Sequence, residues 1–248
     1  MFRFLLKISF DGTDFHGWQV QDNAPTVQQC LCEKLSLMLK TPINVTGCSR
    51  TDAGVHANEF CLVLENHGGT IPADKLPVAV SRYLPPDHSL YYAEECTEDF
   101  HPRYDVKSKE YLYRIINDKI FDPFDYERAW FVPRNIDDAA IERMRAAARH
   151  LLGAHDFTAF TSSECDVLEK VRNVYYITVD KVGKEINIRI CADGFLYNMV
   201  RIIVGTLIEV ANGRFSPDYV LKTLESKNRN LAGMTAPAYG LYLNKVTY

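Results

Sequence analysis

The chain has 248 residues, 47% of them hydrophobic and 12% aromatic, enough apolar side chain to build a sizeable core and too much for a disordered segment. A formal net charge of -4 and a pI near 6.0 deny it the overall basicity of a protein that coats polyanions, although a basic groove can sit on an acidic body. Seven cysteines without a CxxC pair fit neither a zinc site nor a disulfide framework, so reduced thiols in a cytoplasmic protein are expected, and no segment is long enough to span a membrane.

Residues 2 to 10 alternate Phe2, Phe4, Leu6, Ile8 and Phe10 against Arg3, Leu5, Lys7 and Ser9, the period of two that predicts a strand. After the loop DGTDFHGW, Thr26 and Gln29 have capping-box spacing, and Leu31, Leu35, Met38 and Leu39 form a helical stripe that stops at Thr41-Pro42. Ile43 to Thr46 predict a short strand, and Phe60, Leu62 and Leu64 alternate in another. A weaker helix is expected over Pro72 to Tyr83 and a strand over Ser89 to Cys96.

Lys107 to Asn117, KSKEYLYRIIN, predict a strand with Tyr111, Tyr113 and Ile115 on one face. Asn135 or Asp137 caps a helix running to Leu152 and ending at Gly153, with Ile141, Met144, Ala148 and Leu151 on its apolar side. Val171 to Val179 and Glu185 to Cys191 flank a turn and predict a hairpin. An apolar helix over Phe195 to Ala211, a helix opening at Ser216-Pro217 and a last strand over Leu241 to Val246 complete the chain.

The order β-α-β-β-α-β is therefore spelled twice. The expectation is an α+β protein of two ferredoxin-like (RRM-like) halves, residues 1–100 and 101–248, with antiparallel sheets and a central active-site cleft between them.

The stretch GCSRTDAGVHA, residues 47 to 57, is where chemistry is most legible. Gly47 and Gly54 permit backbone shapes closed to other residues, which suits a turn that must present Asp52 in one direction. Asp and Gly are also ordinary turn residues, but a neighbouring guanidinium keeps a carboxylate ionised and available as nucleophile or base. Arg201 lies in FLYNMVRIIVGTLIEV, apolar on nearly all sides, and a guanidinium there needs an anionic partner. Asp52 is one candidate, and a snorkelling side chain or a structural pair with Glu209 or another acid is the alternative.

Tyr111 and Tyr113 follow Lys107 and Lys109, a pairing of rings and cations that serves base stacking and phosphate binding, though strand tyrosines also serve plain packing. Asp11-Gly12-Thr13-Asp14 fails the calcium-loop pattern, and His56 and His101 are open to acid-base roles, although isolated loop histidines more often serve as hydrogen-bonding or surface residues. No phosphate loop, dinucleotide fingerprint, nucleophile elbow or HExxH occurs.

Taken with FDGTDFHGWQ (10–19), DFHPRYDVKSKEYLYRI (99–115), GFLYNMVRIIVGTL (194–207) and APAYGLYL (236–243), the loop closely resembles the TruA family of tRNA pseudouridine synthases. The resemblance implies a cofactor-free isomerase that converts uridine to pseudouridine at positions 38, 39 and 40 of tRNA, in the anticodon stem-loop. It implies Asp52 as the catalytic aspartate, Tyr111 as the active-site tyrosine, Arg201 as the basic partner of the aspartate, and Arg50 as the arginine that helps displace the target nucleotide. It also implies a homodimer with tRNA lying across basic clefts. The charge for that binding is expected in Arg50, Arg103, Lys107, Lys109 and Arg172. Two rival readings are an RNA-binding module without chemistry, which lacks its aromatic signature here, and a glycosidase-like hydrolase, which lacks a second acid.

Overall fold

The computed structural model describes residues 2–66 and 71–248. Its elements in chain order are β1 (Phe2–Phe10), α1 (Val27–Leu39), β2 (Val45–Gly47), β3 (His56–Asn66), α2 (Leu76–Val80), β4 (His88–Glu95), β5 (Ser108–Ile116), β6 (Trp130–Phe131), α3 (Asp138–Arg149), β7 (Gly153–Asp156), β8 (Val171–Val182), β9 (Glu185–Ala192), α4 (Met199–Ala211), α5 (Pro217–Ser226) and β10 (Leu241–Thr247). The chain divides into two compact units, Met1–Lys107 with Tyr242–Tyr248, and Ser108–Leu241. The terminal strand, expected with the second half, thus groups with the first from Tyr242 onward.

In the first unit β1 lies between β4 and β3 and is antiparallel to both, and β2 runs antiparallel along the far part of β3. The start of that same β3 edge is taken by β10, which pairs Tyr242 with His56 and Leu243 with Ala57 in parallel. In the second unit β5, β9, β8 and β7 are successive antiparallel neighbours, and β6 adds to β5 in parallel. The expected antiparallel sheets are therefore mixed. Hairpin connections force antiparallel pairing, but β10 reaches β3 after a long excursion of the chain, so either direction is open to it.

Local signals account for most elements. Thr26 caps α1 by accepting from the Gln29 amide at 3.3 Å, and the helix ends at Lys40 in the left-handed region, φ 54°. Leu31 and Leu35 are fully buried, each worth roughly 1.5–3 kcal/mol against exposure. Asp137 caps α3 through the Ala140 amide at 2.8 Å. The helix expected over residues 72–83 shrinks to a 3-10 turn at Ala73–Lys75 and the short α2, and Pro77, tolerated only in a helix's first turn, fits the restart at Leu76. Strand β7 gives no alternation in sequence, being four residues of GAHD.

Candidate active site

Two loops of the first unit fit together through their backbones. A Cβ on Gly12 would lie 2.0 Å from the Val55 carbonyl oxygen, and one on Gly17 (φ 86°) would lie 2.3 Å from the Thr51 carbonyl oxygen. Glycine is thus required where DGTDFHGW meets RTDAGV. The Trp18 amide donates to the Thr51 carbonyl at 3.2 Å and the Gly54 amide to the Phe15 carbonyl at 3.1 Å, so Asp52 sits in a turn gripped on both sides. Gly54 adopts φ 75°, and the Val55 amide closes the turn on the Asp52 carbonyl at 3.2 Å. Asp52 is half-buried, Arg50 exposed.

Gly47 has a packing reason rather than a conformational one. Trp18 and Phe60 stack with centroids 4.1 Å apart, and a Cβ at Gly47 would come within 2.8 Å of both rings. The loop therefore leaves β2 against a wall of two aromatic side chains. Next to it Cys48 donates its amide to the Cys61 carbonyl at 2.8 Å, and burial pushes the Cys61 thiol up to about 12, which keeps it protonated and inert.

His56 closes the assembly. It is buried, its Nδ1 accepts from the Gly12 amide at 3.0 Å, and its ring stacks on Tyr242 of β10 at 4.6 Å. The same nitrogen lies 3.1 Å from Asp11 Oδ1, which also accepts from the Thr13 amide and hydroxyl. The acidic DGTD segment is thus an Asx turn docked on His56. His56 is thus one of the hydrogen-bonding histidines the sequence allowed for, although it opens β3 rather than lying in a loop.

The second unit holds Tyr111 and Arg201. Tyr111 on β5 is 7% exposed and meets Phe195 edge-on at 5.0 Å. Tyr113 is fully buried and donates its hydroxyl to the Pro237 carbonyl at 2.7 Å. Burial raises its pKa, opposed in part by the positive charge of Arg201. Gly240 is needed because a Cβ there would lie 2.7 Å from the Tyr113 ring, which explains part of the APAYG sequence.

Helix α4 was expected from Phe195 but begins at Met199, because Asn198 takes φ 61°. The helix is almost wholly buried, yet Arg201 is half-buried. Its Nε donates to the Ala236 carbonyl at 2.8 Å and an Nη to Asn198 Oδ1 at 2.7 Å. Two glycines bring that carbonyl within reach. A Cβ on Gly205 would lie 1.8 Å from the Met234 carbonyl oxygen, and one on Gly233 would lie 2.7 Å from the Thr206 backbone. Glu209, the alternative partner, pairs instead with Arg214 at 3.6 Å.

Of the expected binding cations, Arg103 and Lys107 are exposed in the segment before β5, and Lys109 is half-buried on β5 opposite Ala192. Arg172 donates to the carbonyls of Glu169 and Val171 at 2.9 and 2.5 Å. Within its unit, the fold gathers Arg50 and Asp52 in one loop. In the other, Asn198 and Ala236 join Arg201; both lie in the quoted motifs, but nothing in the sequence marked them as its partners.

The family model described as tRNA pseudouridine synthase matches residues 7–105 and 147–248. The chain is 43% identical over 244 residues to a protein of Thermoanaerobacter sp. (strain X514) named tRNA pseudouridine synthase A, covering 98% of each chain. Proteins of the same name from Acetivibrio thermocellus and Bacillus licheniformis are each 41% identical, over 98% and 99% of both chains respectively. Among solved structures, a chain of a Cbf5-Nop10-Gar1 complex aligns with a TM-score of 0.41 at 12% identity, covering 97% of this chain and 48% of that one.

Proposed function

The chain belongs to the tRNA pseudouridine synthase family and is an isomerase that makes pseudouridine in tRNA, and we propose that its targets are uridines 38, 39 and 40 of the anticodon stem-loop. The observation that carries this reading is identity above 40% over nearly the whole length of relatives that share one name. A homodimeric, cytoplasmic enzyme built of two ferredoxin-like halves is part of the same reading. The β4-β1-β3-β2 order of the first unit supports it for that half.

The reaction breaks the C1′–N1 bond, turns the uracil over and joins C5 to C1′. N1 then gains a proton and C5 loses one. We assign Asp52 the carboxylate role at C1′ or C6, whether as nucleophile toward sugar or base or as base toward a sugar proton. Each route needs one ionised carboxylate in a fixed direction, and the doubly hydrogen-bonded turn that carries Asp52 suits that need.

Arg201 is the aspartate's basic partner in this reading. Tyr111 stacks on the extruded base and helps remove the C5 proton. Arg50, exposed beside Asp52, fills the space the uridine vacates, offsetting part of the few kcal/mol that unstacking costs. Arg103, Lys107 and Lys109 contact the tRNA backbone, with a salt dependence to match.

The test is Asp52→Asn assayed on an unmodified tRNA by mapping pseudouridine, with tRNA affinity measured alongside. Loss of all product at positions 38 to 40 with binding retained is expected. Substantial turnover by this variant would overturn the assignment of Asp52.

A further inference from the structure

Asn198 stands at the N-terminus of α4 with φ 61° and ψ 7°, one of four residues other than glycine with positive φ among the described residues. Asparagine tolerates this region better than most side chains, but the conformation still carries strain that surrounding contacts must hold. The side chain shows what holds it. Arginine has only donors, so the amide oxygen must face Arg201, at 2.7 Å, and the amide nitrogen is left to donate to Ser162 Oγ, at 2.8 Å.

The contact with Ser162 belongs to a larger seam. The Tyr197 carbonyl accepts from the Ser162 amide at 3.3 Å and from the Thr161 hydroxyl at 3.1 Å. Residues 161–162 are thus stitched to residues 197–198 by three hydrogen bonds, and beyond Ser162 the chain runs out into an exposed loop whose Leu168 is 98% exposed. On its other side the Arg201 guanidinium is fixed by the Ala236 carbonyl, itself set by the close approach at Gly205. Two edges of one planar cation are therefore aimed by two acceptors.

We propose that Asn198 is a positioning residue for Arg201, aiming its guanidinium and coupling it through one amide to Ser162 and the 163–169 loop. The proposal rests on the reading that Arg201 serves the isomerisation.

The experiment compares wild type, Arg201→Met, Asn198→Gly, Ser162→Ala and the Asn198→Gly/Ser162→Ala double variant on one unmodified tRNA, reading kcat, KM and unfolding midpoint. Glycine accepts positive φ without strain, so Asn198→Gly isolates the side chain from the backbone. It should leave KM and the midpoint near wild type and lower kcat by about tenfold to a hundredfold, the loss expected for one hydrogen bond to a charged group. Ser162→Ala should lower kcat by a smaller factor, roughly threefold, and the double variant should be no slower than Asn198→Gly alone.

A wild-type kcat for either single variant, or a Ser162→Ala loss that adds in full to that of Asn198→Gly, would overturn the proposal. Should Asn198→Gly not fold, the Ser162→Ala kcat decides by itself. A wild-type kcat for Arg201→Met, which removes the charge, would instead overturn the underlying role of Arg201, and absence of product from the wild type would overturn the choice of tRNA positions.

Discussion

The Gly12 amide donates its hydrogen to His56 Nδ1 at 3.0 Å, in the buried space where the DGTD turn, the Asp52 loop and β10 meet. One ring nitrogen therefore satisfies the backbone of a segment more than forty residues away in sequence. The same nitrogen also lies 3.1 Å from Asp11 Oδ1, so the ring ties the turn's backbone and its carboxylate to one point.

Replacing His56 separates the acceptor from the ring. His56→Leu leaves the Gly12 amide buried without a partner, and a loss of about 1–3 kcal/mol in unfolding free energy is expected, with slower pseudouridine formation. His56→Asn keeps an acceptor at the δ position and should retain more of both. Urea unfolding and single-turnover assays on the two variants check this, and equal behaviour would show that only the stack on Tyr242 counts.

Gly205→Ala tests the approach that places the Ala236 carbonyl. The added methyl would meet the Met234 carbonyl oxygen at 1.8 Å, and backbone cannot step aside as a flexible side chain can. A destabilisation of about 1–3 kcal/mol or more is expected in denaturant unfolding. Because Arg201 loses its anchor, activity should fall further than the fraction unfolded explains.

Thr51, just before Asp52, buries a hydroxyl that has no hydrogen-bond partner among the described residues. Its methyl and backbone already supply the packing and the carbonyl bond to Trp18. Thr51→Val should therefore be neutral or stabilising, by up to about 1 kcal/mol, since it removes an unmet polar group at constant shape. A clear loss of stability would reveal a partner for the hydroxyl.

Asp156 gives a pH-dependent contribution. The ammonium of Lys227 at 2.8 Å, with help from the Thr158 hydroxyl and amide, holds its carboxyl down at about 2, below its ordinary value. A folded pKa below the unfolded one means that the contribution is present above the unfolded value near 4 and is lost as pH falls through about 2. The pair is partly solvated and its contribution small, so the Tm gap between wild type and Asp156→Asn should be a few degrees at most at pH 6. It should close toward pH 2, measured by thermal unfolding across that range.

Much of this was legible in the chain. Thr26, Asp137 and the alternation of β1 act through neighbours a few residues away, so their consequences follow from local sequence. The parallel pairing of β10 was not legible, because strand direction across a long connection depends on how the whole chain folds back. The start of α4 was misplaced by four residues for a related reason: Asn198 leaves the helical region where its amide meets Ser162, a partner outside the local window.

By itself the sequence determined the family, through GCSRTDAGVHA and its companion motifs in their order along the chain, and with it the candidates Asp52, Tyr111 and Arg201. Only the tertiary structure decided why those motifs contain their glycines and how Arg201 is aimed. Gly12, Gly17, Gly205 and Gly233 are demanded by backbone approaching from elsewhere in the chain, and such a contact leaves no periodic or compositional trace. A hydrogen bond such as Asn198 to Ser162 forms only when folding brings distant residues within 3 Å.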